Sequence, residues 1–382
     1  EGAQGSGGTK FCAPATGPAG TVANATDCDD ADRSARAGLA EVCDAVDNNC
    51  NGQVDEGISC AGSLARVMDG NLGGMGHDWR AVAVHPDGVP VWIAGLNGKL
   101  VVRKTAGGPF QGFSYAAGPP NDVPADANNC GNYDWYAAWV RPSDGSVFLA
   151  GEGGRVAQHT GSACINSHDL TGTGHATGII GFESGATTTL YVVTDGGRLF
   201  TWVPGSAPAQ QDDEGHVYSG IHALSSNLLL VGGSTSGAAQ RVFAYSNGNL
   251  SAEATHTMSS TNVSGTVNSV WMGTSSLAYA VGNGGAVWRW NGTTGWTLVP
   301  APTGVTANLF GVVTLPNGDA YLVDSSNNGR LHRRTPYGWA TRGPTLPVTN
   351  KPLFGIAMRS AGDFWVVGDD GFVFHYPEPP RP

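Results

Sequence analysis

Between Cys43 and Gly57 the chain reads CDAVDNNCNGQVDEG, which places hard oxygen donors at the spacing of a cation loop. Asp47, Asn49, Asn51, Gly52 and Asp55 stand at relative positions 1, 3, 5, 6 and 9, the order of an EF-hand-like calcium loop. Alternate residues of such a loop turn their oxygens inward, the glycine permits the sharp bend, and the backbone carbonyl of Gln53 falls at position 7. Position 12 is Ile58, so the usual bidentate Glu is missing and Asp55 and Glu56 must substitute for it. Upstream, DCDDAD adds Asp27, Asp29, Asp30 and Asp32 as ligands for the same ion or a second one. Nine acids against Arg33 and Arg36 leave residues 27–57 at −7, most of the chain's formal −11. Crowding so many carboxylates without a cation is costly through mutual repulsion. Oxygen ligands without histidine favour Ca2+ over transition metals.

TVANATDCDDAD (21–32) followed by EVCDAVDNNCNGQVDEG (41–57) resembles the MopE-type metal-binding motif of secreted bacterial proteins. Cysteines, acids and glycines agree with it in order and spacing. Departures are Arg36-Ala37-Gly38 where Pro-Gly-Ala is common, Ala45 for a Gly, and Asn51 for an Asp. The last exchanges a charged ligand for a neutral one and weakens binding. The resemblance implies a metal site and an extracellular setting. Copper, associated with the family's name, needs soft or imidazole ligands, which this segment lacks.

A module of some forty residues cannot hold this loop on a hydrophobic core alone, so metal and disulfides must supply the stability. Of seven cysteines, five (12, 28, 43, 50 and 60) fall in the first sixty residues, a density typical of oxidising compartments. Cys130 and Cys164 stand apart as a pair that could bridge neighbouring loops; the odd total leaves one cysteine unpaired or bonded outside the chain, and spacing does not give the connectivity. The division that follows is a flexible segment at 1–20, an acidic disulfide-rich module at 21–62, a repeat domain at 63–378 and a Pro-rich tail at 379–382.

The repeat domain is all-β. Gly is abundant (58) and charged residues scarce (13%), a profile of short strands and tight turns. One unit returns seven times: an apolar strand, a Gly-rich turn, and a second apolar strand, starting at Val91, Val147, Leu190, Leu228, Ala278, Ala320 and Phe364. A further strand precedes each, at 80–85, 134–140, 177–183, 219–224, 267–273, 308–315 and 352–359, and an outer one follows in places (295–300, 338–343). Starts 38 to 56 residues apart with four strands per unit predict a seven-bladed β-propeller. The last unit stops at Tyr376 without an outer strand, so SLARVMDG (63–70) is expected to complete it and remove an open edge.

Catalytic motifs are not found. Neither G-x-S-x-G, H-E-x-x-H, a P-loop nor the sialidase Asp-box occurs, and ten histidines are scattered, His168 and His175 beside Asp169 being the nearest to a cluster. The eleven Trp residues read as inter-blade packing, with stacking on sugars as the alternative. No Lys/Arg cluster points to nucleic acid, and no apolar run reaches membrane-spanning length. The start at Glu1 without Met reads as a processed secreted product. The largest insertion, 105–133, is the expected contact surface. Sequons at Asn24, Asn249, Asn262 and Asn291 mark turns open to glycosylation. Together these features predict a secreted, non-catalytic calcium-binding structural or adhesive glycoprotein. Its partners would be other copies of itself, joined head-to-tail into a fibre, or extracellular glycans and proteins. A lectin-like module is the alternative, and a propeller lyase or hydrolase a third.

Overall fold

The computed structural model describes residues 37–41, 48–51, 53, 64–113, 130–170, 172, 174–213, 215–235, 239–246, 249–251, 258–259, 263–292, 295–336, 338–340, 346–347 and 349–376. Within them lie seven four-stranded antiparallel sheets, the blades of a β-propeller. The innermost strands are Trp79–Val84, Trp135–Val140, Ala176–Ser184, Val217–Ser225, Val267–Thr274, Leu309–Thr314 and Leu353–Ser360. In the first six blades the next three strands follow outward in chain order. The seventh is completed by Ala65–Arg66, which pairs with Val373–Tyr376 through Ala65 opposite His375 and Arg66 opposite Phe374. The Val67 N–H donates to the Val373 carbonyl at 2.8 Å, extending that ladder by one bond.

The second strands, such as Val91–Gly95 and Val147–Gly151, are buried throughout, because each blade is covered by a neighbour on both faces. That is why they read as continuous apolar runs. Turns out of them need left-handed backbone at two successive residues, supplied by Asn97-Gly98 (φ 57, 67) and Asp370-Gly371 (φ 54, 72). Seven separate hydrophobic clusters fill the seven junctions. At the seam of blades 7 and 1, Trp79, Val91, Ile93 and Phe110 pack on Trp365, Val367 and Val373.

Blades are also tied at one rim. The turn after the second strand donates a backbone N–H to the residue just ahead of the next blade's inner strand: Asn97 to Asp134 Oδ1 (2.8 Å), Gly153 to His175 Nδ1 (3.1 Å), Gly284 to Asn308 Oδ1 (3.0 Å) and Asp370 to Asp78 Oδ1 (3.2 Å). The last of these closes the ring with the same bond used inside it. Cys130 and Cys164 form a disulfide within the propeller. The disulfides expected in the N-terminal module are represented among the described residues by Cys50, which is disulfide-bonded. No helix of the described residues is long and apolar enough to cross a membrane.

Candidate functional site

Of the ten expected metal ligands, Asn49, Asn51 and Gln53 are described; Asp27, Asp29, Asp30, Asp32, Asp47, Asp55 and Glu56 lie outside the described residues. The three form a relay. The Asn51 N–H donates to Asn49 Oδ1 (3.0 Å) and the Gln53 N–H to Asn51 Oδ1 (2.9 Å), so each amide oxygen turns back over the loop and caps the backbone two residues on. Cys50, between them, takes left-handed backbone (φ 62), which tightens the bend. The Asn49 N–H is bound by Glu41 Oε1 at 2.8 Å. Sequence reasoning omitted Glu41 from the site because it stands eight residues from its partner, outside the loop's own period. An amide oxygen has two lone pairs, so capping an N–H and facing a cation are compatible. The donor chemistry therefore fits a hard cation. Among the described residues no group of three or more His, Cys, Asp or Glu gathers to hold an ion.

The second candidate is the propeller's axis, a cavity of about 390 Å³ lined by all seven inner strands. Each inner strand carries a β-bulge at the same place, skipping one residue in the ladder: Arg80, Tyr136, Thr177, Ser219, Asn268, Phe310 and Phe354 in blade order. A bulge frees one residue from pairing and re-aims its side chain. All seven line the cavity. The residue before each bulge is apolar and almost wholly buried, from Trp79 and Trp135 to Leu353. The residue after it is Ala, Gly or Ser, because neighbouring inner strands converge there. A Cβ on Gly355 would stand 2.9 Å from the Arg80 carbonyl, and one on Gly220 3.0 Å from that of Asn268.

The ring divides into two arcs. Phe310 and Phe354 meet with centroids 5.2 Å apart, and the Arg80 guanidinium lies over Phe354 at 3.9 Å while bonding Asp369 at 2.6 Å. Opposite them Tyr136, Thr177, Ser219 and Asn268 present hydroxyls and an amide. The Thr177 hydroxyl donates to the Tyr218 carbonyl (2.8 Å), and Asn268 Nδ2 donates to Leu309 O and Asn283 Oδ1 (both 2.9 Å), which fixes the amide's orientation. Burial first, then the carboxylates of Asp134, Glu152 and Asp195, push the Tyr136 phenol up to about 12, so it stays protonated. Deeper in, His222 packs on Trp271 (centroids 4.0 Å) and its Nδ1 accepts the Met272 N–H at 3.1 Å. Burial lowers this imidazole to about 3, holding it neutral. Among the described residues no Asp or Glu lines the cavity itself, and Asp134 Oδ2 stands 3.5 Å from the Tyr136 hydroxyl.

His168 packs edge-on to Trp202, Asp169 faces Arg155 at 3.4 Å, and His175 caps Gly153, so these three serve separate contacts. Trp79, Trp92, Trp135, Trp202, Trp288 and Trp296 are buried in the blades, whereas Trp139 and Trp271 line the axis. Of the insertion at 105–133, residues 114–129 lie outside the described residues, and its end is fastened by Cys130–Cys164.

The fold and motif define a seven-bladed β-propeller preceded by a MopE-type segment. Residues 27–56 match the Cu-binding MopE family model, described as a "Putative metal-binding motif". Among solved structures the chain is similar to selenomethionine-substituted virginiamycin B lyase from Staphylococcus aureus (14% identity, TM-score 0.63, 82% of this chain and 98% of that one). It is also similar to YCF48 bound to D1 peptide (13%, TM-score 0.59, 84% and 98%) and to the WD40 β-propeller domain of Doa1 (14%, TM-score 0.58, 84% and 98%). At these identities the likeness is one of fold. No curated protein matches the chain.

Proposed function

We propose that this is a secreted, non-catalytic structural protein in which a Ca2+-stabilised acidic module is joined to a rigid propeller. The observation that carries the reading is the Asn49–Asn51–Gln53 relay inside the matched motif. It bends the loop through Asn49, Asn51 and Gln53, residues at alternate positions whose oxygens are the type a hard cation takes. Asn49, Asn51 and the Gln53 carbonyl, with Asp47, Asp55, Glu56 and the Asp27–Asp32 cluster, would hold the ion; when bound it neutralises the local charge and substitutes for a core. Head-to-tail contact between one copy's module and the next copy's propeller would propagate without closing, which is the geometry of a fibre.

Elemental analysis of protein purified without chelator is expected to find calcium, and EGTA to remove a melting transition that added Ca2+ restores. Metal-free protein with a melting profile indifferent to EGTA overturns the calcium reading. Light scattering that finds only monomer at high concentration overturns the fibre.

A further inference from the structure

The seven blades are an internal experiment on what the fold demands. At equivalent positions the backbone is the same, so a requirement of folding should appear in every blade. It does on either side of the bulge: always a buried apolar residue before, always Ala, Gly or Ser after. At the bulged position itself the requirement disappears, and Arg, Tyr, Thr, Ser, Asn, Phe and Phe succeed one another. These side chains share one surrounding, the mouth of the axial cavity, and they are sorted by chemistry around it, with an aromatic arc facing a hydroxyl and amide arc.

We propose that this ring is a binding site for a neutral sugar residue. The charge of the lining sets the first half of that choice. Its one guanidinium is already paired with Asp369 and stacked on Phe354, which leaves an anion no free counter-charge, and the carboxylates beside the ring, Asp369 on Arg80 and Asp134 at 3.5 Å from the Tyr136 hydroxyl, are not part of the lining. Burying an unpaired charge is strongly unfavourable. The arcs set the second half. A pyranose has an apolar C–H face, suited to Phe310, and an equatorial belt of hydroxyls, suited to Ser219, the Tyr136 phenol and the Asn268 amide oxygen. The two N–H groups of Asn268 are committed to Leu309 and Asn283, so the carbonyl oxygen is what it offers a ligand. A cavity of about 390 Å³ falls within the range of small-molecule sites, about 300–1,000 Å³. The tryptophans to which sugar stacking would be assigned from sequence are mostly consumed by blade packing, and phenylalanines hold the position instead.

The test is calorimetry and saturation-transfer NMR on the whole chain with methyl mannoside, methyl galactoside, N-acetylglucosamine and glucuronate. A neutral sugar is expected to bind, with glucuronate at least about tenfold weaker. Phe310→Ala should weaken binding about tenfold, the effect of roughly 1.4 kcal/mol of lost stacking, while Phe310→Tyr keeps it. Ser219→Trp, which adds bulk at a lining position, should abolish it. Circular dichroism and melting identify variants that fail to fold, and Ser219→Trp decides the question should Phe310→Ala be one of them. Binding by none of the neutral sugars overturns the proposal, as does binding that survives Ser219→Trp or favours glucuronate. The lining residues all belong to the propeller blades, so EGTA-treated protein should bind equally well.

Discussion

Replacing Gly151 with Ala should be among the more damaging single-methyl additions in this propeller. Gly151 ends a second strand with extended backbone (φ −165), so its requirement is space and not left-handed geometry. A Cβ there would stand 2.1 Å from the Asp134 carbonyl oxygen and 2.9 Å from the Trp135 ring. Real contacts of that kind essentially never fall under 3.0 Å, so strand and loop must separate by close to an ångström. That movement breaks the 2.7 Å bond from the Glu152 N–H to the same carbonyl. Overpacking costs about 1–3 kcal/mol and the lost bond about 0.5–1.5, giving about 1.5–4.5 kcal/mol in all. Gly153, two residues on, supplies the comparison: its φ is +62 but nothing lies within 4 Å of a Cβ. Gly153→Ala should cost only the left-handed penalty, about 1–2 kcal/mol. Equilibrium unfolding in urea, at an unchanged m-value, measures both. Should Gly151→Ala prove milder than Gly153→Ala, the close-approach argument is wrong. That outcome would extend to Gly95, Gly233, Gly282 and Gly368, whose Cβ positions lie 2.0 to 2.5 Å from the matching carbonyl in their own blades. Thr194 and Asp324 hold the position in the other two blades, where the loop is shaped around a side chain.

Buried His222 gives a pH prediction. Its folded value lies far below the usual 6.5, so the unfolded chain takes up a proton that the folded one refuses. Its contribution is intact above about pH 6.5 and is lost as pH falls toward 3, by up to about 1.4 kcal/mol per unit. Urea unfolding at pH 7 and pH 4.5 should show wild type losing more stability than His222→Gln; carboxylate titration is common to both and cancels, and equal losses count against the assignment. Replacing Cys130 and Cys164 together by Ser opens a bridge across 34 residues and should lower unfolding free energy by about 3–4 kcal/mol, measured in the same assay.

The blades were legible because their signals are local. Residues such as Val91–Gly95 and Asn97-Gly98 carry strand and turn within one short window, and the strand read at 267–273 is observed at Val267–Thr274. The alternation of Asn49, Asn51 and Gln53 was legible for the same reason, since each side chain caps a backbone group two residues away. Glu41 was not, being held by a contact that the loop's spacing does not encode. Nor was the axial ring. Tyr136 in DWYAAWV looks like any strand aromatic; only the ladder, in which Trp135 pairs with Gly151 and Ala137 with Ala150, shows that Tyr136 has been skipped. Bulges are a property of register between strands, and single-strand patterns are blind to it. The tryptophans illustrate the same limit: Trp135 and Trp139 are four residues apart in one strand, yet Trp135 is sealed in a blade junction whereas Trp139, packed at the next junction, also lines the axis.

The borrowed strand at Ala65–Arg66 has a mechanical consequence. It lies antiparallel to Val373–Tyr376, so the chain preceding residue 64 and the chain following residue 376 leave from neighbouring points on one edge. Tension between those two segments loads the pairing one rung at a time, like opening a zip, instead of shearing all rungs together. The ring would then give way first at its own junction, with six blades still whole behind it.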